Sequence, residues 1–239
     1  MDYPAPLPHT PPEQIGEDLF VVYGSVRPRP VVRFTRNMAV VREGSELTLI
    51  DPVRMDDDGL AALEALGNVR HVLRLGPMHG MDDPFYIDRY GAAFWSFPDG
   101  SVYSQPAIDH ELADGSALPF GNASLFVFRH LRQTEGAIVL HRGPGVLLTC
   151  DSIQSYATPP HKPHTNLLTR VIMRLIGFPN ETLVGPIWLR LLAKDRDRVR
   201  SEFDRLLALD FDQLLSAHGT FLASGAHDAV ARAIASRFS

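Results

Sequence analysis

The segment "RLGPMHGMDDPFY", Arg74 to Tyr86, carries one histidine and two adjacent aspartates among two glycines and two prolines. Turn-forming residues around groups able to hold a metal or a proton describe either a ligand-bearing turn or an acidic loop. The flanking sequence bears on the choice. "LTLIDPV" is an apolar run with Asp51 at its end, and "DDDGLAALEAL" then switches to helical spacing, with Leu60, Leu63 and Leu66 on one face. Aspartates at the head of that helix suit its dipole. "VRHVLRLG" returns to strand, so a strand, helix, strand unit ends at the histidine. In α/β sheets ligands gather at the carboxyl ends of strands.

Working outward, "LFVVYGSV" and "VVRFTRNMAVVRE" read as earlier strands of a meander, separated by Pro, Gly and Ser punctuation. Downstream, "AAFWSFP", "ASLFVFRHL", "AIVLHR" and "GVLLTCDS" read as four more strands, the last two joined by "GPG" in a hairpin. "NLLTRVIMRLIGF", "GPIWLRLLAK" and "DRDRVRSEFDRLLAL" are helical, the last with Val199, Phe203, Leu206 and Leu207 at amphipathic spacing. "FDQLLSAHG" reads as a final strand and turn, and "AHDAVARAIASRF" as a closing helix. No internal repeat is found, but the order β-rich, helix, β-rich, helix is what two similar layers give. Five prolines within residues 1–15 predict an extended arm, lying on the domain or on a partner, or else disordered. Residues 16–239 read as one domain with a helical insertion at about 160–209.

Composition narrows the functions. A chain of 239 residues that is 45% hydrophobic has ample material for a buried core. A net charge of −5, with both signs spread along the chain, offers no basic footprint for nucleic acid. No apolar run approaches the roughly 20 residues needed to span a bilayer, and the N-terminus lacks a basic start with an apolar core, so the expected location is cytoplasmic. The single cysteine, Cys150, excludes an internal disulfide framework and a Cys-rich zinc site. Metal chemistry would have to use His, Asp and Glu.

Three segments could meet at one sheet edge: His79 to Asp83, "LLTCD" ending at Asp151, and "LLSAHG" with His218. Each polar group follows an apolar, strand-like run and would project from a strand end. Converging imidazoles and carboxylates suit Zn, Fe or Mn, and such ions make a bound water nucleophilic near neutral pH.

On these residues the chain resembles the metallo-β-lactamase superfamily, over roughly Leu19 to Gly219. "LTLIDP" resembles the family strand whose aspartate supports the metal turn, which gives that supporting slot to Asp51. "LRQTEGAIVLHRGPGVLLTCDS" resembles the GHTPGS segment, the hairpin and the "TGD" that follow; Thr134 and Gly136 match, and Asp151 takes the place of the metal-bridging aspartate. "LLSAHG" resembles the last motif and puts His218 in a ligand slot. The resemblance implies an αββα sandwich of two mixed sheets with helices on the outer faces.

The departures are as informative. The family's HxHxDH motif stands here as "PMHGMDD". Without a gap, Pro77, His79, Met81 and Asp82 occupy its four ligand slots. With one residue inserted after His79, Asp82 takes the aspartate slot and Asp83 replaces the last histidine, which is the preferred register. Gln133 replaces the histidine of the GHTPG segment, so one of the family's two metal positions loses two of its three histidines and is read as empty. The other position would use Asp82 or Asp83, Asp151 and His218 around one Zn, Fe or Mn ion, with His79 as a further ligand or proton shuttle and Asp82 and Asp83 as the catalytic pair. A metal-free protein is the alternative.

Plainer readings stand beside these. Asp82 and Asp83 could cap a helix starting at "DPFYIDRY", and His79, Asp151 and His218 could be ordinary turn residues. His161 and His164, three apart in a Pro-rich loop, could supply replacement ligands. Cys150 is read as a buried strand residue, and His130 and His141 as structural. The helix around Trp188 is rich enough in apolar residues to be core, cover for the site, or a homodimer surface. Two functions follow: a hydrolase of a small ester, thioester, amide or phosphoester, or a non-catalytic small-molecule or partner-binding protein of the same fold. Oxygen or redox chemistry at iron is a third, weaker reading.

Overall fold

The computed structural model describes residues 3–29, 31–99, 106–156, 166–175 and 181–239. Its larger sheet runs in the spatial order of the chain. Strands β1 (Glu13–Gly16), β2 (Leu19–Arg29), β3 (Val32–Glu43) and β4 (Glu46–Ile50) pair antiparallel. Strands β5 (Asn68–Leu73), β6 (Ala93–Ser96) and β7 (His110–Glu111) then add in parallel. The parallel steps need crossovers, and α1 (Asp57–Glu64) and α2 (Asp83–Tyr90) supply two of them. The side chain of Asp56 caps α1 by accepting from the Gly59 amide at 2.9 Å.

The second sheet has the order β13-β10-β9-β8: β8 (Ala123–Val127), β9 (Gly136–Leu140) and β10 (Val146–Thr149) are antiparallel, and β13 (Gln213–Ser216) joins β10 in parallel. A short ribbon, β11 (Ile153–Ser155) with β12 (Thr182–Val184), follows the end of β10. Helices α3 (Leu167–Leu175), α4 (Pro186–Leu192), α5 (Arg196–Leu207) and α6 (Ala226–Arg237) complete the described chain.

Alternation along the strands sorts side chains into layers. Val146 and Leu148 of β10 face the first sheet, packing with Leu19, Val41 and Ile50, whereas Leu147 faces outward with Trp188, Phe203 and Val230 of the helices. On the other side, Leu49 and Val72 pack against Leu60, Leu63 and Tyr86. The result is four layers, helix, sheet, sheet, helix, as the resemblance implied. Trp188, Leu189 and Leu192 belong to the helix-facing core, while Ile187 and Leu191 are exposed. Among the described residues no helix is long and apolar enough to cross a membrane.

The long elements match the sequence pattern. The sequence reading missed β1, β7, β11 and β12, which are two to four residues long, too short for a periodicity to show. The strand β12 also interrupts the stretch read as a helical insertion. The proline-rich arm lies on the domain: Thr10 donates its amide to the Tyr23 carbonyl, the Ser25 hydroxyl donates to the Pro8 carbonyl, and the Asp56 amide donates to His9 Nε2.

Two glycines are required where the sheets end. Gly219 has φ +91°, and a Cβ there would lie 1.7 Å from the Ser155 carbonyl oxygen; a Cβ on Gly185 would lie 2.1 Å from that of Asp151. We expect Gly219→Ala to lower the melting temperature by at least about 5 °C, read by thermal unfolding, since backbone clash and left-handed strain act together. An unchanged melting temperature would show that the turn after β13 can relax.

Candidate metal centre

Four strand ends converge on one point. Asp51 follows β4 with φ 50°, a left-handed conformation that aspartate tolerates better than most residues. Its amide donates to the Leu73 carbonyl, and its Oδ1 accepts from the Leu75 amide, both at 2.9 Å. Asp51 thereby ties the ends of β4 and β5 together and sets the start of the loop that carries His79. Asp151 follows β10, and His218 follows β13.

There His79, Asp151 and His218 meet, all nearly fully buried. His79 Nε2 is 3.3 Å from Asp151 Oδ2, and His218 Nε2 is 3.1 Å from Asp151 Oδ1. The imidazole rings are edge to face with centroids 5.1 Å apart. His218 Nδ1 lies 2.6 Å from the Thr35 carbonyl, which can only accept, so this nitrogen carries a proton. In neutral His218 the lone pair of Nε2 is then aimed at a carboxylate oxygen. That arrangement is repulsive unless His218 is doubly protonated or a cation lies between them. Burial pushes the Asp151 pKa up, but His79 and His218, by charge and hydrogen bonding, outweigh it and hold the carboxyl well below the ordinary range.

Strand β3 holds three of the loops in place. Arg36 donates to the carbonyls of His79 (2.5 Å) and Pro52 (3.2 Å). Asn37 donates through Nδ2 to those of Ser216 (2.9 Å) and Gly219 (3.1 Å), and Thr35 Oγ1 accepts from the Gly219 amide. These three were passed over in the sequence reading. The available signal was a consecutive polar run, Thr35-Arg36-Asn37, inside an otherwise apolar strand.

Asp82 and Asp83 are not brought to this cluster. Asp82 pairs with Arg54 Nη2 at 2.7 Å and stands 3.6 Å from Arg36 Nη1. Asp83, fully buried, accepts from Arg74 Nε at 2.6 Å, and Arg74 Nη2 stands 2.6 Å from the same oxygen. Charge complementarity with three buried arginines thus turns both carboxylates away from the place where the preferred register put them. Nor does Asp82 cap α2 through its side chain. Gln133 is half-buried and has no hydrogen bond to the three converging residues among those described. His161 and His164 lie outside the described residues.

Glu135 was also passed over. It is fully buried, and its Oε1 accepts from the Ser152 amide at 2.8 Å. Burial, and next the charge of Asp151, push its pKa well above the ordinary carboxyl range. Cys150, equally buried, has its thiol likewise pushed up, first by burial and next by the charge of Asp51.

No protein-family model matches the sequence, and no curated protein does. Solved structures do match in shape. The metallo-β-lactamase FIM-1 from Pseudomonas aeruginosa in its mono-zinc form superposes with a TM-score of 0.61 at 12% identity, over 98% of both chains. A metallo-β-lactamase from Erythrobacter litoralis gives 0.60 at 14% identity, over 94% of this chain and 90% of that one. A variant of the flavo di-iron protein from Thermotoga maritima gives 0.67 at 14% identity, over 96% of this chain and 61% of the other. The chain has the metallo-β-lactamase fold.

The buried pair Arg74–Asp83 yields a prediction in two parts. Asp83→Ala leaves a buried guanidinium uncompensated and should cost about 3–5 kcal/mol in denaturant unfolding. Burial raises the Asp83 pKa to about 6 from 3.8, against the pull of Arg74. The folded state therefore binds this proton more tightly, and the contribution to stability falls as pH rises from about 4 to 6. Asp83→Asn should lack that component of the pH slope; an identical slope in both proteins would contradict the assignment.

Proposed function

We propose that the protein is a metal-dependent hydrolase of the metallo-β-lactamase fold whose ion is held by His79, Asp151 and His218. The observation that supports this most directly is the orientation of His218: its Nδ1–H donates to the Thr35 carbonyl, and its Nε2 faces the same carboxylate as His79 Nε2. Donating the distal N–H to a carbonyl is how ligating histidines are commonly oriented. Two imidazoles and one carboxylate, with donor atoms all within 4.8 Å of one another, suit Zn, Fe or Mn and leave coordination places for water.

Charge supports the same reading. The arginines beside the site pair with Asp82 and Asp83, whereas Asp151 has ion-pair contacts only with His79 and His218 among the described residues. A buried carboxylate is costly unless a cation compensates it. The solved structures of this fold include a mono-zinc protein and a flavo di-iron protein.

Bound there, the ion would polarise a substrate oxygen and lower the pKa of a coordinated water. The chain's own contribution is orientation. Thr35 holds the His218 ring, Asp151 accepts the approach of both imidazoles, and Arg36 anchors the His79 backbone. Phe34, whose ring centroid is 5.4 Å from that of His218, forms an apolar wall beside it. A small ester, thioester, amide or phosphoester is the substrate class such a centre serves.

A second reading is favoured by one observation: each Asp151 oxygen already faces an imidazole nitrogen, so two protonated histidines could complete the site in a non-catalytic protein. Metal analysis separates the two. Protein purified without chelator should carry about one equivalent of Zn, Fe or Mn, and Asp151→Ala should carry less than about a tenth of that. A wild-type chain that arrives without metal and takes up none of the three would exclude the hydrolase.

A further inference from the structure

A second group of donors lies against the first. Glu135, Cys150 and Asp151 are buried, and a carboxylate oxygen of each acid and the Cys150 Sγ all lie within 4.8 Å of one another. Glu135 and Cys150 reach into one space, kept open by Gly76. A Cβ at that position would sit 2.9 Å from Glu135 Oε2 and 2.5 Å from Cys150 Sγ. Glu135 Oε1 is satisfied by the Ser152 amide, but Oε2 has no hydrogen-bond partner among the described residues. A buried carboxyl oxygen without a partner costs about 1–3 kcal/mol, more if charged. The buried guanidiniums of Arg36, Arg54 and Arg74 pair with Asp82 and Asp83.

From this geometry we propose that Glu135, Cys150 and Asp151 form a second metal-binding position for a thiophilic divalent ion such as zinc. A thiolate and two carboxylates suit zinc better than magnesium or calcium, which prefer oxygen alone. On binding, the Cys150 S–H bond breaks, its electron pair goes to the metal–sulfur bond and its proton leaves to solvent. Any proton held by Glu135 leaves in the same way. The proposal rests on the single-ion reading in one respect: Asp151 belongs to both donor groups. The position is distinct from the one that Gln133 removes, because Glu135 and Cys150 occupy no ligand slot of the motifs discussed above.

The test is a Co²⁺ titration of the full chain after removal of metal, followed by absorption. Cys150 is the only cysteine, so a thiolate-to-cobalt charge-transfer band reports an ion on Cys150, and its response to Glu135→Gln distinguishes this position from the group of Asp51, His79 and Cys150. Uptake of about two equivalents with that band is the expected result. Glu135→Gln should keep the first equivalent and weaken the band-forming one by at least about tenfold. Uptake of one equivalent without a thiolate band would overturn the second position and leave the single-ion centre standing. One equivalent with a band that Glu135→Gln leaves unchanged would put the ion at Asp51, His79 and Cys150, whose donor atoms also lie within 4.8 Å of one another, and overturn the position. No uptake at all would overturn both.

Discussion

The contact on which the site depends is a buried carboxylate, Asp151, with one imidazole on each oxygen. Leaving such a group in the interior without positive charge is among the costliest things a fold can do. The structure surrounds it accordingly. His79 and His218 face it from two different loops, and the carbonyl of Thr35 decides which nitrogen of His218 looks inward. Every element that ends here is constrained by this meeting: β4 through Asp51, β5 through the loop to His79, β10 through Asp151 itself, and β13 through the glycine after His218.

The surrounding arginines explain why the acids next to His79 do not join it. Arg36, Arg54 and Arg74 come from three separate segments of the first sheet and its loops, and each finds a carboxylate of the "MDD" turn within 2.6 to 3.6 Å. Arg36 does more, since the same guanidinium holds the His79 carbonyl. Ion pairing fixes the turn's shape, and the fixed shape presents the histidine. The two aspartates act on the centre through positioning.

Much of the architecture was legible because periodicity reports burial. The alternation in "GVLLTCDS" and "FDQLLSAHG" and the helical spacing of Leu60, Leu63 and Leu66 follow directly from which faces meet the core. The convergence of His79, Asp151 and His218 was legible for a related reason, as each is the first polar side chain after, or in the turn following, an apolar strand. The destinations of Asp82 and Asp83 were not legible. Their partners lie 28 and 9 residues away, and nothing local distinguishes an aspartate that meets a guanidinium from one that meets an ion. Thr35, Arg36, Asn37 and Glu135 left a fainter trace, polar residues in or beside apolar strands, whose meaning depends on what the facing sheet supplies.

The sequence by itself determined the order of the longer strands and helices and which three strand ends carry chemically able groups, because these follow from hydrophobic spacing along a single chain; the layering followed from the family resemblance. Tertiary structure alone decided which carboxylates remain at the centre and which are drawn off by arginines, which nitrogen of His218 is free, and that Glu135 lies beside Cys150 and Asp151. These outcomes depend on distances between residues far apart in the chain. In a low-dielectric interior a separation of a few ångströms settles whether two charges pair.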